Sequence, residues 1–404
     1  MRVLLVGSGG REHALAWRLA CSPSLDELHA APGNPGIAQL ATCHPVAVED
    51  GEGLLGLARA HRIELVVVGP EAPLVAGVAD VLRHAGIPVY GPSAAAARIE
   101  GSKLFAKDVM RTAGVPTAAA LETPRAPCVV KADGLAAGKG VLVCRTEDEL
   151  RAGLDIARGF GGEVIVEELL EGQEVSLLAV CDGVEAKLLA PARDYKRAHD
   201  GDRGPNTGGM GSFAPAPVDG ALEALVELTI QPVLAELRRR RTPFIGTLFA
   251  GLMLTDRGPR VLEYNCRFGD PETQSVVPLV EGDLLEALAA AAAGSLAGVS
   301  LGQAPGFAVT VVLAAGSYPD SGDRGTPIAG VPEAEALGAH VFHSGTALDG
   351  GALVTSGGRL LCVTATGPTR GEARRRAYQA ADRITIPGAR RRNDIALEAA
   401  AEGG

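Results

Sequence analysis

The sequence predicts an α/β protein that opens on a parallel sheet, continues into a small strand-rich unit and closes on a mixed α+β region. Three observations carry this. Apolar runs at Val3–Val6, Leu28–Ala31, Leu65–Val68 and Val89–Tyr90 alternate with amphipathic stretches around 12–21, 52–61 and 74–85, the pattern of parallel strands joined by helical crossovers. Pro116, Pro124 and Pro127 then mark a linker, and the segment after them is rich in strands. From about 306 short strands return, with a helix near 370–383.

Composition bounds the rest. A chain of 404 residues has room for two to four compact units at about 100–200 residues each. Hydrophobic residues make up 47% and charged residues 21%, which excludes disorder. The net charge of −10 argues against a nucleic-acid partner, yet leaves room for a locally basic pocket that takes a small anion. Seven cysteines without a C-x-x-C pair do not make a disulfide framework. Eight histidines without H-E-x-x-H lack the sequence signal of a zinc site. The first apolar run is too short for a signal peptide, and no run of about 18 apolar residues follows, so no membrane partner and a cytoplasmic location are expected.

In chain order, Gly91-Pro92-Ser93 ends the first region, and Ser102 is expected to cap a helix over 102–113. Strands follow at Cys128–Lys131, Gly140–Cys144, Val164–Glu168, Val175–Cys181 and Glu185–Ala190, with one helix near 147–158; this unit reads as an inserted lid. The polar, Gly-rich stretch 194–212 shows no periodic element, and loops of that length are commonly functional. A helix over 219–240, strands near 246–254 and 260–264, and an Ala-rich helix at 287–293 complete the middle of the chain.

Four constellations could carry chemistry. Gly7-Ser8-Gly9-Gly10-Arg11-Glu12-His13 joins a strand to a helix, where backbone amides and the helix N-terminus favour phosphate; a plain tight turn is the other reading. The dinucleotide fingerprint needs a glycine where Glu12 stands and an acid where the second strand ends in Ala30-Ala31-Pro32, so a dehydrogenase is disfavoured. Lys131 closes an apolar strand, and Lys139 sits in a glycine loop eight residues on, a pairing suited to polyphosphate. Gly140 follows Lys139 where a Walker A loop would place Ser or Thr. Glu167-Glu168-Leu169-Leu170 with Glu174 could read adenine and ribose, or form a solvated strand end. In the run Val261 to Gln274, period-two alternation puts Glu263, Asn265 and Arg267 on one strand face. Carboxylate and amide oxygens suit Mg²⁺, and an arginine beside them suits a transferring phosphoryl group.

These residues resemble the phosphoribosylamine–glycine ligase (glycinamide ribonucleotide synthetase) family of the ATP-grasp superfamily over nearly the whole chain. The matching strings are Gly9 to Leu15, Ala31-Pro32-Gly33-Asn34, Gly69 to Leu74, Glu100-Gly101-Ser102-Lys103, Lys131 to Gly140, Gly204 to Gly211 and Arg267 to Gln274. Three places depart from the family's pattern: Arg193 before Asp194-Tyr195-Lys196-Arg197, a short segment at 117–127, and the tail Arg392-Asn393-Asp394-Ile395-Ala396.

The resemblance implies an ATP-grasp fold with an N-terminal Rossmann-like domain over 1–101, an ATP-grasp domain over 102–300 whose lid spans about 128–185, and a C-terminal α+β domain over 301–404. It implies ligation of glycine to 5-phosphoribosylamine at the expense of ATP, through a glycyl phosphate, in de novo purine synthesis. It also implies transfer of the unstable amine from another purine-pathway enzyme. Lys103, Lys131, Lys139, Glu168, Leu170 and Glu174 are then expected at ATP, and Glu263 and Asn265 at Mg²⁺ or Mn²⁺. Arg267 is expected to stabilise charge and Asp270 to meet the glycine amine. Gly9, Gly10, Glu71, Lys196, Asn206, Thr207 and Gly208 are expected around phosphoribosylamine. A nucleotide-binding regulator without turnover is the alternative from another class, and it has no use for Glu263, Asn265 and Arg267 together.

Overall fold

The structure, a computed structural model, describes residues 1–135, 140–218 and 220–397. Strands β1 (Arg2–Gly7), β2 (Glu27–Pro32), β3 (Thr42–Cys43), β4 (Leu65–Val68) and β5 (Val89–Tyr90) form one sheet in the order β3-β2-β1-β4-β5. Every pairing in it is parallel. Helices cover both faces, so β1 from Val3 onward and the whole of β4 are apolar and buried. Helices α1 (Gly10–Leu19) and α2 (Gly51–Ala60) are two of the crossovers. The helix expected over 74–85 is two short ones, Glu71–Val75 and Val78–His84. Gly77 between them takes φ +88°, a conformation open to glycine that a continuous helix cannot pass through.

Past the linker, β6 (Cys128–Ala132), β7 (Val141–Cys144) and β8 (Val164–Glu168) form a small antiparallel sheet in the order β7-β6-β8. Helix Glu147–Arg158 packs on it, started by a capping box between Thr146 and Glu149. Val130, Ala132, Leu150, Ala157 and Val166 belong to a core of its own. Strand β9 (Gln173–Asp182) is part of a larger antiparallel sheet with β10 (Ala186–Leu188) and strands Ile245–Thr255 and Gly258–Asn265. It pairs with Ile245–Thr255 from Gln173 to Asp182 without interruption.

The short 116–121 segment is a strap between the two sheets. Val261 N–H donates to the Pro116 carbonyl (2.8 Å), and Leu121 N–H to the Val166 carbonyl (2.8 Å). Glu168 N–H returns a bond to the Ala119 carbonyl (2.9 Å).

The stretch 194–212, expected to lack elements, contains short strands at Arg197–His199 and Arg203–Asn206, which pair with each other, and it overlaps Arg193–Asp194 and Gly211–Ala214. Backbone hydrogen bonds form them with little apolar alternation, so periodicity does not reveal them. Arg193–Asp194 and Gly211–Ala214 join the C-terminal sheet beside Phe307–Ala314, Arg359–Gly367 and His340–His343. The helix expected over 219–240 is Leu222–Thr229 and Gln231–Arg239. The break sits just before Pro232, which has no N–H to continue the ladder. Among the described residues no helix is long and apolar enough to cross a membrane.

Asp133 fixes the small sheet to the helix that starts at Lys103. Its Oδ1 accepts from the Lys103 N–H (2.6 Å) and its Oδ2 from the Ser102 hydroxyl (3.2 Å), while Ser102 caps the same helix through Phe105 N–H. Asp133→Ala is expected to cost about 1–2 kcal/mol, the range of a lost helix cap, read as a lower denaturation midpoint.

Candidate active site

A cavity of about 500 Å³ lies where the small sheet, the larger sheet and the C-terminal sheet meet. One wall is the strand Gly258–Asn265. Glu263 faces Gly251 and Asn265 faces Phe249 on the neighbouring strand, and both line the cavity. The register slips between them and Val261, and in that bulge the Leu262 carbonyl accepts from Lys131 Nζ (2.9 Å).

The opposite wall is cationic. Lys131 Nζ lies 2.8 Å from Glu167 Oε2, and Lys107 Nζ lies 2.7 Å from Glu167 Oε1. Glu167 is 1% exposed; a carboxylate so buried persists because two ammonium groups share it. Lys103 Nζ donates to the Gly134 carbonyl (2.9 Å). Burial pulls the pKa values of Lys103 and Lys107 below the ordinary lysine value, against the pull of Glu263 on the first and of Glu167 on the second.

At the far end, Arg267 bridges Glu71 Oε2 (3.1 Å) and Glu100 Oε1 (3.0 Å). Burial opposes its charge, but these two carboxylates raise its pKa above the usual arginine value. Glu71 is held at about 2: burial alone would lift it, and Arg267 and Arg11 override that. Glu100 also accepts from Cys266 N–H (2.8 Å), and the acceptors around Asn265 assign its amide the orientation in which the nitrogen donates to Glu100 (3.2 Å). Arg359 pairs with Asp270 Oδ2 (3.2 Å) and donates to the Gly208 carbonyl (2.6 Å). Lys196 bridges Asp194 (3.1 Å) and Glu174 (3.0 Å). Burial works against the Lys196 charge, yet the acids around it keep its pKa well above the ordinary value.

Of the residues singled out from sequence, Lys103, Lys131, Lys196, Glu71, Asn206, Thr207, Gly208, Glu263, Asn265, Arg267 and Asp270 converge on this cavity. Glu174 reaches it through Lys196. Glu168 turns away: its Oε1 accepts from Ala119 N–H (3.0 Å). Leu170 is buried at 6% exposure and is not among the lining residues. Gly9 and Gly10 also lie off the wall. The Gly9 N–H, a candidate phosphate donor, is taken by Glu12 Oε2 at 2.6 Å. Gly7, at φ +134°, leaves room for that carboxylate, since a Cβ there would fall 2.4 Å from Glu12 Cγ. Lys139 lies outside the described residues.

Arg11, Glu100, Lys107, Glu167 and Arg359 line the cavity without having been assigned a role from sequence. Arg11 and Glu100 stand inside the quoted motifs, and Glu167 beside Glu168. Lys107 and Arg359 carry no local signal.

Three family models account for most of the chain. The phosphoribosylglycinamide synthetase N domain matches residues 1–100, the ATP-grasp (A) domain 101–273 and the C domain 308–398. The chain belongs to the phosphoribosylglycinamide synthetase family. A relative in that family, the phosphoribosylamine–glycine ligase of Streptomyces coelicolor, is 52% identical over 99% of this chain and 100% of its own. The enzyme of the same name from Mesorhizobium japonicum is 49% identical over 99% of each. The crystal structure of phosphoribosylamine–glycine ligase from Thermotoga maritima superposes with a TM-score of 0.84 at 38% identity, covering 98% of this chain and 100% of that one. The biotin carboxylase domain of Hydrogenobacter thermophilus 2-oxoglutarate carboxylase shares the fold at 17% identity, with a TM-score of 0.69 over 96% of this chain and 91% of that one.

One carboxylate in this phosphoribosylglycinamide synthetase cavity titrates near neutrality. Burial, reinforced by Asp194, raises Glu272 to about 7, and its Oε1 accepts only a weak bond from the Ser176 hydroxyl (3.2 Å). The unfolded chain ionises Glu272 at the ordinary value, so between that value and about 7 the folded protein binds more protons and loses stability as pH rises. Glu272→Gln removes this loss. Denaturation midpoints of parent and variant, compared from pH 5 to 8, are expected to move in the variant's favour with rising pH; a difference constant with pH refutes the assignment.

Proposed function

We propose that this chain joins glycine to 5-phosphoribosylamine at the expense of ATP, yielding glycinamide ribonucleotide, ADP and phosphate in de novo purine synthesis. The observation that carries the reading is the convergence, in one cavity, of Lys103 and Lys131 with the Glu263–Asn265 pair and Arg267, in a chain 52% identical along its length to a relative named for that ligation. Glycine's carboxylate is a poor acyl donor. Its oxygen takes the γ-phosphoryl group of ATP, releasing ADP; the ribosyl amine then attacks the acyl carbon, gives up a proton and expels phosphate. Such chemistry asks for positioning and charge neutralisation more than for a covalent nucleophile.

Within that reading, Lys131 and Lys103 hold ATP phosphates together with Lys139; Glu168 and Leu170 meet adenine through their backbone, which the outward turn of the Glu168 side chain leaves open, and Glu174 meets the ribose. Arg267 neutralises charge on the transferring group, and Asp270 holds the glycine amine. Glu71, Lys196 and the 206–208 turn surround the ribosyl phosphate, with Gly9 and Gly10 behind them. Glu263 fits a divalent cation: no hydrogen bond or ion pair from a described residue engages its carboxylate, although it borders the cavity. Asn265 adds a hard amide oxygen, its nitrogen being turned to Glu100. Mg²⁺ or Mn²⁺ bound there would neutralise phosphate charge. All seven cysteines are free, which suits a cytoplasmic setting, where another purine-pathway enzyme would hand over the unstable amine.

ADP release should require glycine and freshly made phosphoribosylamine together; release independent of both sinks the ligase reading. Glu263→Gln should raise the Mg²⁺ requirement and cut turnover sharply, whereas Asp270→Asn should mainly raise the glycine requirement. The reverse pattern in metal and glycine titrations would exchange the two roles.

We also propose that the lid, expected at about 128–185, moves as the smaller body formed by β6 to β8, because β9 is bonded along its length into the larger sheet. Closure would shield the acyl phosphate from water. Amide exchange is expected to slow in 128–168 on adding ATP and to change little in 173–182.

A further inference from the structure

Away from the cavity, three histidines meet at the edge of the parallel sheet. His29 lies on β2 opposite Thr42 of β3. His44 follows β3, held by its N–H bond to the Ala30 carbonyl (2.8 Å). His61 closes α2 as its C-terminal cap. The ring centroids are 5.2 Å apart for His29 and His44, 4.5 Å for His29 and His61, and 4.8 Å for His44 and His61. One nitrogen from each ring can be chosen so that all three lie within 4.8 Å of one another. None of the three lines the cavity.

We infer that His29, His44 and His61 form a binding site for one divalent cation of the Zn²⁺, Ni²⁺ or Cu²⁺ class, distinct from the cation site at Glu263 and Asn265. Imidazole nitrogens suit these late transition metals, whereas Mg²⁺ prefers oxygen. Glu27 Oε2 lies 3.3 Å from His29 Nε2, and with the ring proton on that nitrogen the Nδ1 lone pair accepts from His44 Nε2–H at 3.0 Å; an ion would replace that hydrogen bond, the His44 proton moving to the outer ring nitrogen. A carboxylate on the outer nitrogen of a ligating histidine is the usual means of fixing its tautomer and orientation.

The site is also accessible. His29 is 5% exposed and fixed by the sheet, while His44 and His61 are half-buried and face solvent on one side. Three nitrogens on a tetrahedral ion at about 2.0–2.1 Å stand roughly 3.3 Å apart, so the His29–His44 pair at 3.0 Å opens slightly while the wider separations draw in; two half-buried side chains can do this by turning, and a fourth position is left for water. The bound ion would tie β2, the segment after β3 and the end of α2 together.

The test uses the full-length protein, stripped of metal by chelation and kept free of ATP, with Co²⁺ as the spectroscopic probe. The expected result is one equivalent of Co²⁺ with the visible bands of a tetrahedral nitrogen-ligated ion, displaced by Zn²⁺, and a thermal midpoint that rises with added Zn²⁺. His44→Ala and His61→Ala should each abolish the spectrum, Glu27→Gln should weaken binding about tenfold, and Glu263→Gln should leave it unchanged. Each histidine variant is compared with the parent for its metal-free midpoint, and if one fails to fold the other decides. Absence of a Co²⁺ spectrum in the parent, or its persistence in a folded histidine variant, overturns the inference. Loss of the spectrum in Glu263→Gln alone would assign the ion to the catalytic cavity and equally overturn it.

Discussion

The geometry of the cavity depends on one carboxylate. Glu100, at the end of helix Ala94–Gly101, engages three consecutive residues: the Asn265 amide, the Cys266 backbone N–H and the Arg267 guanidinium. A strand end cannot by itself aim three successive groups, because alternation points neighbours to opposite faces. Glu100 supplies the missing constraint from outside the strand. Burial lifts its pKa while Arg267 opposes the lift, and three donors satisfy a charge that would otherwise be costly in that position. The constraint also orients the Asn265 oxygen away from Glu100, and it sets the guanidinium that Glu71 then meets, with Arg11 on the other side of that carboxylate.

Around that anchor the cavity is electrically balanced. Among the described residues, seven basic and seven acidic side chains line it, although the whole chain carries −10. Six of the acids already have a partner: Glu71 and Glu100 on Arg267, Glu167 between two lysines, Asp194 on Lys196, Asp270 on Arg359, and Glu272 on the Ser176 hydroxyl. Glu263 alone among them has no hydrogen-bond or ion-pair partner within the described residues. An arriving polyanion therefore meets cations that are already positioned by neighbours, which lowers the ordering cost of binding.

Sequence reading succeeded where one element carries the whole signal. β1 and β4 are continuous apolar runs because both sheet faces are covered. Ser102 announced its helix by its own capping chemistry. Glu263 and Asn265 share a face by simple alternation. Reading stopped where partners are far apart in the chain. Arg359 reaches the Asp270 carbonyl across 89 residues, and nothing around either residue marks that pairing. Glu167 shows a finer limit. The acidic pair was visible, but only the strand's burial shows that Glu167 turns inward to two lysines while Glu168 turns out to the strap. Likewise Glu12 was visible as the residue that spoils a dinucleotide fingerprint, and only the fold shows it occupying the Gly9 N–H itself. Histidines 15 and 17 residues apart form no motif, yet the sheet edge collects them.

The short strands Arg193–Asp194 and Gly211–Ala214 belong to a sheet whose remaining strands begin at Phe307. During synthesis on the ribosome, the 194–212 segment emerges roughly 5–20 s before its ladder partners, at an elongation rate of about 5–20 residues per second. The Gly208 turn waits longer still, since its N–H donates to the Tyr318 hydroxyl and its carbonyl accepts from Arg359. The wall of the cavity formed by the 206–208 turn is therefore completed last, after Lys103, Lys131 and Glu263 have been made. A nascent chain released before Arg359 would keep Lys103 and Lys131 and lack the side chain that ties the Gly208 turn to Asp270.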